Sequence, residues 1–249
     1  MLIKKLKQML KWAIALGTVF CLSFLFAGGA NYYLSRDKIF SQAESLADGL
    51  GGNIDRLSRL IFLRQAVNAR LEQADYVKLQ DMPESLQQAV IAVEDRKFYS
   101  HWGFDVEGIF RASLVNLQYG EVREGASTIT QQLAKQLYSE KASSTLERLL
   151  QKPIEWVIAV KLERYYTKQE ILALYLNYFD FLHNAVGIKT AANTYFNKEP
   201  KDLTLTEAAT LIGLCKNPSL FNPVRYPERA RDRRNVVLSQ MEKAGYLSR

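Results

Sequence analysis

Residues 81–103 have the sequence DMPESLQQAVIAVEDRKFYSHWG, which combines a helix start, an apolar face and a cluster of polar side chains. Asp81 and Pro83 suit the first turn of a helix, where an acidic cap and a proline are both favoured. Apolar residues then recur at helical spacing, at Leu86, Ala89, Val90 and Val93. We therefore expect an amphipathic helix that ends at the acidic pair of Glu94 and Asp95.

Glu94 is the strongest candidate for chemistry in this stretch. A carboxylate at the end of an apolar helix lies at the edge of a core, where its surroundings can suit it to accept a proton. Most acidic pairs at helix ends are instead solvated. Likewise, a histidine such as His101 is more often a hydrogen-bonded structural residue than a ligand or a catalytic base. The local pattern leaves both interpretations open.

A second polar stretch has the sequence GASTITQQLAK, at residues 125–135. Ser127 and Thr128 follow a glycine and open a helix, and a helix N-terminus with hydroxyl groups suits an anionic or sugar ligand. Gln131, Gln132 and Lys135 fall within about one turn, so two of them face one side. The alternative is an ordinary capped surface helix.

The segment between these stretches, residues 102–125, allows two interpretations. Its glycines and apolar residues fit an ordinary amphipathic helix with loops, or a mobile flap that touches a membrane above a cleft.

Further helices are expected at about 127–140, 146–166, 168–177, 205–215 and 227–244. Thr204 and Glu207 form a capping box, and Pro227 suits a first helical turn. Alternating strand patterns are missing, so the sequence predicts a mostly α domain.

An uncharged apolar run extends from residue 12 to residue 30 and is close to the roughly 20 residues that cross a bilayer as a helix. Lysines precede it, which places the rest of the chain outside the cytoplasm. A cleaved signal peptide is the alternative, but we favour a retained anchor. We expect a basic tail and transmembrane helix at 1–30, a juxtamembrane helical region at 31–80 and the main domain at 81–249.

Composition excludes several classes of function. Four of the seven excess positive charges belong to lysines ahead of the apolar run, which argues against a nucleic-acid binder. The only cysteines are Cys21 and Cys215, and Cys21 lies inside the apolar run, so neither a disulfide framework nor a cysteine metal cluster is available. Ser35 and Lys38 fit the S-x-x-K pattern of penicillin-binding transpeptidases, but no K-T-G partner follows.

Five blocks in this order closely resemble the signatures of the peptidoglycan glycosyltransferases (glycosyltransferase family 51). They are EDRKFYSHWG at 94–103, GASTITQQLAK at 125–135, QKPIEW at 151–156, KQEILALYLN at 168–177 and RRNVVL at 233–238. The first two blocks are specific, and the resemblance covers roughly residues 81–245. That domain occurs alone in monofunctional transglycosylases and at the N-terminus of class A penicillin-binding proteins, and the sequence leaves open which of these this chain is.

The resemblance implies a mostly α, lysozyme-like domain behind a single transmembrane helix, facing outward from a bacterial cytoplasmic membrane. It implies polymerisation of lipid II with inversion at the donor sugar and release of polyprenyl pyrophosphate. The expected partners are lipid II, the growing glycan strand, the bilayer and other cell-wall synthesis proteins, but no nucleic acid. The resemblance also allows a divalent cation, Mg²⁺ or Mn²⁺, at the substrate diphosphate, although the sequence shows no metal site.

Residue by residue, Glu94 matches the general base that takes a proton from the acceptor 4-hydroxyl. Glu155 matches a second glutamate that supports the site, and Lys135 matches a lysine that meets the pyrophosphate or the donor sugar. The other positions expected to bind substrate or shape its pocket are Asp95, Phe98, His101, Ser127, Thr128, Gln131, Gln132, Arg148, Lys152 and Asn177.

The chain departs from the family pattern on the donor side. Gln151 and Glu147 stand where the family has arginines. The spacing from Lys135 to Glu155 is longer than in the family, and such an insertion would let Arg148 or Lys141 take the arginine's role. Leu182 and Asn184 stand where the family has two glycines. These changes motivate a non-catalytic scaffold as one alternative, and a lysozyme-like lytic enzyme that cleaves peptidoglycan is the other.

Overall fold

The computed structural model describes residues 63, 65, 67–68, 75–120, 125–138 and 145–248. The helices are α1 (Glu84–Glu94), α2 (Val106–Tyr119), α3 (Ile129–Tyr138), α4 (Thr145–Tyr165), α5 (Lys168–Tyr178), α6 (Ile188–Phe196), α7 (Leu205–Lys216) and α8 (Pro227–Lys243), with 3₁₀ turns at Leu79–Asp81 and Pro200–Asp202. Among the described residues the only β pairing is an isolated bridge between Asp180 and Val186. The prediction of a mostly α domain is confirmed.

Helix α1 buries the face that its sequence predicted. Leu86, Ala89 and Val90 are fully buried, and Val93 is partly buried. Ile91 and Ala92 are buried as well, and the helix packs against α7 and α8. Each large aliphatic side chain buried in this way contributes about 1.5–3 kcal/mol. The last turn of α1 thereby carries Glu94 to the edge of the core, as expected.

Two helices form the centre of the domain. Residues 171–176 of α5 and residues 211–215 of α7 are buried without interruption. A helix that is apolar on all sides must be covered by neighbours. Helix α5 packs against α3, α4 and α6, while α7 packs against α1, α6 and α8. The ends of α1 and α3 are therefore held against a rigid core.

Capping residues fix several helix starts. Thr204 and Glu207 form the predicted capping box at the start of α7, and Pro227 occupies the first turn of α8. Thr167 and Glu170 form a second capping box at the start of α5, which the sequence analysis did not single out. The helices expected beyond residue 126 all appear, with ends within two residues of the prediction.

Residues 102–125 contain a helix with an unusual surface. Helix α2 buries only Gly108 and Ala112. Val106, Phe110, Leu114 and Leu117 lie at helical spacing on one exposed side, and we call these four residues the α2 stripe. A helix does form in this segment, but the α2 stripe faces solvent rather than the core, unlike the apolar face of an ordinary amphipathic helix.

The loop between α5 and α6 departs from ordinary backbone geometry. Leu182, His183 and Asn184 have φ values of 64°, 54° and 60°, in the left-handed region that non-glycine residues rarely adopt. Leu182 and Asn184, which stand where the resembled family has glycine, thus adopt a backbone conformation that glycine favours. Helix α6, which begins after Gly187, was not predicted from the sequence.

Part of the region ahead of residue 81 joins the core. Leu63 and Val67 are helical and fully buried. Most of the juxtamembrane region predicted at 31–80, and the transmembrane helix predicted at 12–30, lie outside the described residues. No helix in the described part of the chain has the length and apolar character needed to cross a bilayer.

Candidate active site

Glu94 and Asp95 lie where the end of α1 meets the start of α3. Glu94 is the last residue of α1 and is half-buried, and its Oε2 accepts a hydrogen bond of 2.9 Å from Nε2 of Gln132. Asp95 leaves the helical conformation at once, with φ −159° and ψ 81°, so that its side chain turns the other way. The two adjacent carboxylates consequently have different surroundings.

Asp95 joins three parts of the site. Its Oδ2 accepts hydrogen bonds from the backbone N–H of Ile129, at 3.0 Å, and from Nε2 of His101, at 2.8 Å. Nδ1 of His101 accepts from the backbone N–H of Gly103, which assigns the ring proton to Nε2. A buried carboxylate at the N-terminus of α3 is favoured by the unpaired N–H groups there. Asp95 and His101 therefore hold the turn after Glu94 and the start of α3 in fixed positions next to Glu94.

Gly103 connects this turn to α3 and α4. The hydroxyl of Thr128 donates to the carbonyl oxygen of Gly103 at 2.7 Å. Gly103 has φ 109°, and a Cβ there would come within 3.2 Å of the backbone of Ala159 in α4. The glycine of the first block is required because the turn approaches α4 closely.

The GASTITQQLAK block starts α3 with a capping box. The hydroxyl of Thr128 accepts from the backbone N–H of Gln131, and Oε1 of Gln131 accepts from the N–H of Thr128. The Nε2 group of Gln131 is buried with no hydrogen-bond partner among the described residues. Ser127, just before the cap, is exposed.

Gln132 and Lys135 share one face of α3, since they are three residues apart. Gln132 faces Glu94 through the hydrogen bond given above, while the Lys135 side chain is exposed to solvent. A cation therefore lies one turn beyond the glutamine that contacts the predicted base.

A partly buried ionic cluster supports the turn after Glu94 from the side of α4 and α5. Phe98 is fully buried, and Nζ of Lys168 lies 4.6 Å from its ring centroid. The same ammonium group pairs with Oε1 of Glu163 at 2.7 Å, and the hydroxyl of Thr130 donates to that oxygen at 2.5 Å. These contacts tie α3, α4 and α5 to the turn that follows Glu94.

Glu155 lies on α4 and is 3% exposed. Its Oε2 accepts a hydrogen bond of 2.6 Å from Nζ of Lys152. Glu155 precedes Glu163 by just over two turns, so the two carboxylates lie on the same side of α4. Arg148 belongs to α4, but its side chain lies outside the described part of the structure.

Asn177 makes contacts unlike those of the other predicted site residues. Its Nδ2 donates to the carbonyl oxygens of Val77 and Ala173, and its Oδ1 accepts from the N–H of Val77 at 2.8 Å. The side-chain amide thus holds an extended segment 100 residues earlier in the chain against α5.

Two buried residues near Glu94 were missed by the sequence analysis. The hydroxyl of Tyr175 donates to Oε1 of Gln132 at 3.1 Å, and the Cys215 thiol lies beside this phenol. Both residues occur in apolar helical runs, where a tyrosine or cysteine is indistinguishable from an ordinary core residue. Only the packing of α5 and α7 brings them to the site.

Comparison with known protein families finds one model, described as "Transglycosylase", that matches residues 63–242. The matched region begins near Leu63 and contains all the predicted site residues. It also includes the buried positions ahead of residue 81.

Individual relatives are penicillin-binding proteins. Penicillin-binding protein 1A of Neisseria flavescens is 44% identical over 177 residues, which cover 71% of this chain and 22% of that protein. Penicillin-binding protein 1A of Vibrio cholerae is 46% identical over 173 residues, or 70% of this chain and 20% of the relative. Penicillin-binding protein 1F of Bacillus subtilis is 34% identical over 251 aligned positions, or 99% of this chain and 33% of the relative. The chain thus spans between 20% and 33% of the length of these relatives.

Proposed function

Because this chain belongs to the transglycosylase family, we propose that it lengthens glycan strands from lipid II, with Glu94 as the general base. We further propose that its helices adopt the family's lysozyme-like arrangement. The protein then acts at the outer face of a bacterial cytoplasmic membrane, where lipid II and the growing strand meet.

The observation that carries this proposal is the contact between the first two blocks. Gln132 donates to Oε2 of Glu94, which leaves the other carboxylate oxygen available to a substrate hydroxyl. Glu94 is half-buried at the end of a rigid helix, so its direction is fixed. A positioned carboxylate of this kind typically contributes a factor of about 10²–10⁴ as a general base.

In the proposed reaction, Glu94 accepts the proton of the acceptor sugar's 4-hydroxyl. That oxygen forms a bond to the anomeric carbon of the donor strand, while the bond from that carbon to the pyrophosphate oxygen breaks. The electron pair leaves with the lipid pyrophosphate, and the configuration at the anomeric carbon inverts. The four-carbon stem of Lys135 extends its charge from α3 toward the departing pyrophosphate, where a cation stabilises developing negative charge.

Glu155 supports the donor side of the site in this proposal. Its ion pair with Lys152 holds the buried side chain in a fixed position. A divalent cation at the diphosphate remains a further prediction. In the described ranges no cluster of three acidic, histidine or cysteine side chains occurs, and the steps above use only the protein's own side chains.

The α2 stripe fits a bilayer surface. Its four side chains are between 49% and 67% exposed, and contiguous apolar surface of this kind marks interaction sites. Trp102 and Tyr119 flank it, and both are about half exposed, as aromatic residues at membrane interfaces often are. We propose that the stripe dips into the outer leaflet and brings the site to the lipid-linked substrate.

Replacement of Glu94 tests the proposal directly. Glu94→Gln keeps the shape of the side chain and an oxygen that can accept the hydrogen bond from Gln132, but it removes the base. Polymerisation of lipid II should therefore fall about 100-fold or more. The readout is the length distribution of glycan strands on a gel. Glu84→Gln, at the exposed start of the same helix, is the matched control and should retain activity.

Each alternative function gives a different result in this experiment. Unchanged polymerisation by Glu94→Gln contradicts the assignment of the base. Release of anhydro-sugar fragments from purified sacculi, without strand growth from lipid II, supports the lytic enzyme. A parent protein that neither polymerises lipid II nor cleaves sacculi supports the scaffold.

A further inference from the structure

Tyr175 is the largest fully buried side chain near the proposed base. It lies in the middle of α5, and its ring packs against Phe179 at 5.8 Å between centroids. A phenol in a core needs a hydrogen-bond partner, because a buried hydroxyl without one loses the hydrogen bonds it makes in water. The partner of Tyr175 is the side chain of Gln132 rather than a backbone carbonyl.

Three helices contribute to one continuous chain of hydrogen bonds. The Tyr175 hydroxyl on α5 donates to Oε1 of Gln132 on α3, at 3.1 Å. Nε2 of the same amide donates to Oε2 of Glu94 on α1, at 2.9 Å. The Gln132 amide therefore links the buried phenol to the carboxylate: its oxygen accepts from Tyr175 and its nitrogen donates to Glu94.

The oxygen and the nitrogen of the Gln132 amide are not equivalent, so the hydrogen bonds run in one direction, from Tyr175 through Gln132 to Glu94. If the Gln132 amide were reversed, its oxygen would face the carboxylate oxygen of Glu94, and two acceptors would repel each other. A phenol that donates to Oε1 favours the productive orientation. Burial raises the pKa of Tyr175 well above its usual range, and Cys215 and Glu94 raise it further, so the hydroxyl keeps its proton.

The Cys215 thiol is a second hydrogen-bonding neighbour of the Tyr175 hydroxyl. Burial raises the pKa of the thiol well above the usual range, and the nearby charge of Glu94 raises it further, so the thiol stays neutral. Its Sγ lies 3.9 Å from the carbonyl oxygen of Leu211, one turn earlier on α7. A neutral thiol is only a weak hydrogen-bond acceptor, so the amide oxygen of Gln132 is the stronger acceptor for the Tyr175 hydroxyl.

We propose that Tyr175 is a positioning residue, which fixes the amide of Gln132 and through it aims the carboxylate of Glu94 at the acceptor hydroxyl. This inference rests on the proposed function, because it assumes that Glu94 is the base. Tyr175 itself lies inside the core and touches no substrate.

A double-mutant cycle between Tyr175 and Gln132 tests this role in the full-length protein. Tyr175→Phe removes only the hydroxyl, and kcat for lipid II polymerisation should fall about 3- to 10-fold, the usual effect of one hydrogen bond. KM should stay within about twofold. In a Gln132→Leu protein, Tyr175→Phe should change kcat by less than about twofold, because the link to Glu94 is already lost.

The inference is overturned if Tyr175→Phe leaves kcat unchanged, or if its effect multiplies with that of Gln132→Leu. Tyr195→Phe is the control, since it removes a phenol that donates to the carbonyl oxygen of Phe181 instead. Its kcat should stay within about twofold of the parent. A purely structural role for Tyr175 would lower thermal stability alone.

A second variant covers the case in which Tyr175→Phe does not fold. 3-Fluorotyrosine at position 175 keeps the ring and the hydroxyl but strengthens the hydroxyl as a donor. It should change kcat when Gln132 is present and leave kcat unaltered in the Gln132→Leu protein; the same response in both contradicts the inference. Activity of Glu94→Gln separates the two failures. If Glu94→Gln polymerises lipid II as well as the parent, the proposed function is wrong. If Glu94→Gln is inactive but the effects of Tyr175→Phe and Gln132→Leu on kcat multiply, only the role of Tyr175 is wrong.

Discussion

Gly187 holds the loop after α5 in a conformation that no other residue type fits. It has φ 84°, and a Cβ there would lie 2.5 Å from the carbonyl oxygen of Asn177. Asn177 in turn holds Val77 through its side-chain amide. A side chain at position 187 therefore disturbs both the loop and the extended segment that packs on it.

We expect Gly187→Ala to lower the free energy of unfolding by about 2–4 kcal/mol, because a backbone collision adds to the left-handed strain. Gly245→Ala is the matched control. Gly245 has φ 80°, but nothing lies within 4 Å of its added Cβ, so the loss should be only about 1 kcal/mol. Denaturant unfolding of both variants measures the difference, and equal losses would contradict the collision.

At the scale of single elements, the capping box of α7 ties stability to pH. The hydrogen bond from Lys198 lowers the pKa of Glu207 below its ordinary value of 4.5, and the backbone N–H of Thr204 lowers it further. The carboxylate is thus held in its charged form by the folded state. Its stabilising effect is fully present above the ordinary pKa and disappears as the pH falls through the lowered folded-state pKa.

Glu207→Gln should therefore lower Tm at pH 7, and the difference from the parent should shrink as the pH falls below 4.5. Thermal unfolding followed across that range gives the measurement. Glu84→Gln serves for comparison, because its carboxylate is exposed and its partner is the neutral amide of Gln88. A difference for Glu207→Gln that stays constant at low pH would show that charge plays no part.

For the molecule as a whole, the proposed contact of the α2 stripe with a bilayer predicts how the protein responds to a membrane-bound substrate. Phe110→Asp places a charge in the middle of the stripe, so KM for lipid II in vesicles should rise about tenfold. KM for a water-soluble, short-chain lipid II analogue should not change. The control is Val224→Asp, which alters an equally exposed apolar residue in the loop between α7 and α8. Equal effects with both substrates would argue against contact with the bilayer.

The sequence by itself determined the helical class and the ends of the strongly capped helices, and it nominated the candidate site residues. Residues 188–196 escaped prediction because their threonine and asparagine residues have low helix propensity, and packing against α5 and α7 stabilises α6 instead. The left-handed loop was not predicted either, because leucine and histidine rarely adopt the positive φ found at Leu182 and His183.

Only the tertiary structure decided which groups meet. The bond from Ile129 to Asp95 spans 34 residues, that from Tyr175 to Gln132 spans 43, and that from Val77 to Asn177 spans 100. Caps and apolar periodicity act over a few residues, so they specify where a helix begins and which face it buries. The partner across the core depends on how the buried faces of α1, α3 and α5 fit together, and no local pattern encodes that fit.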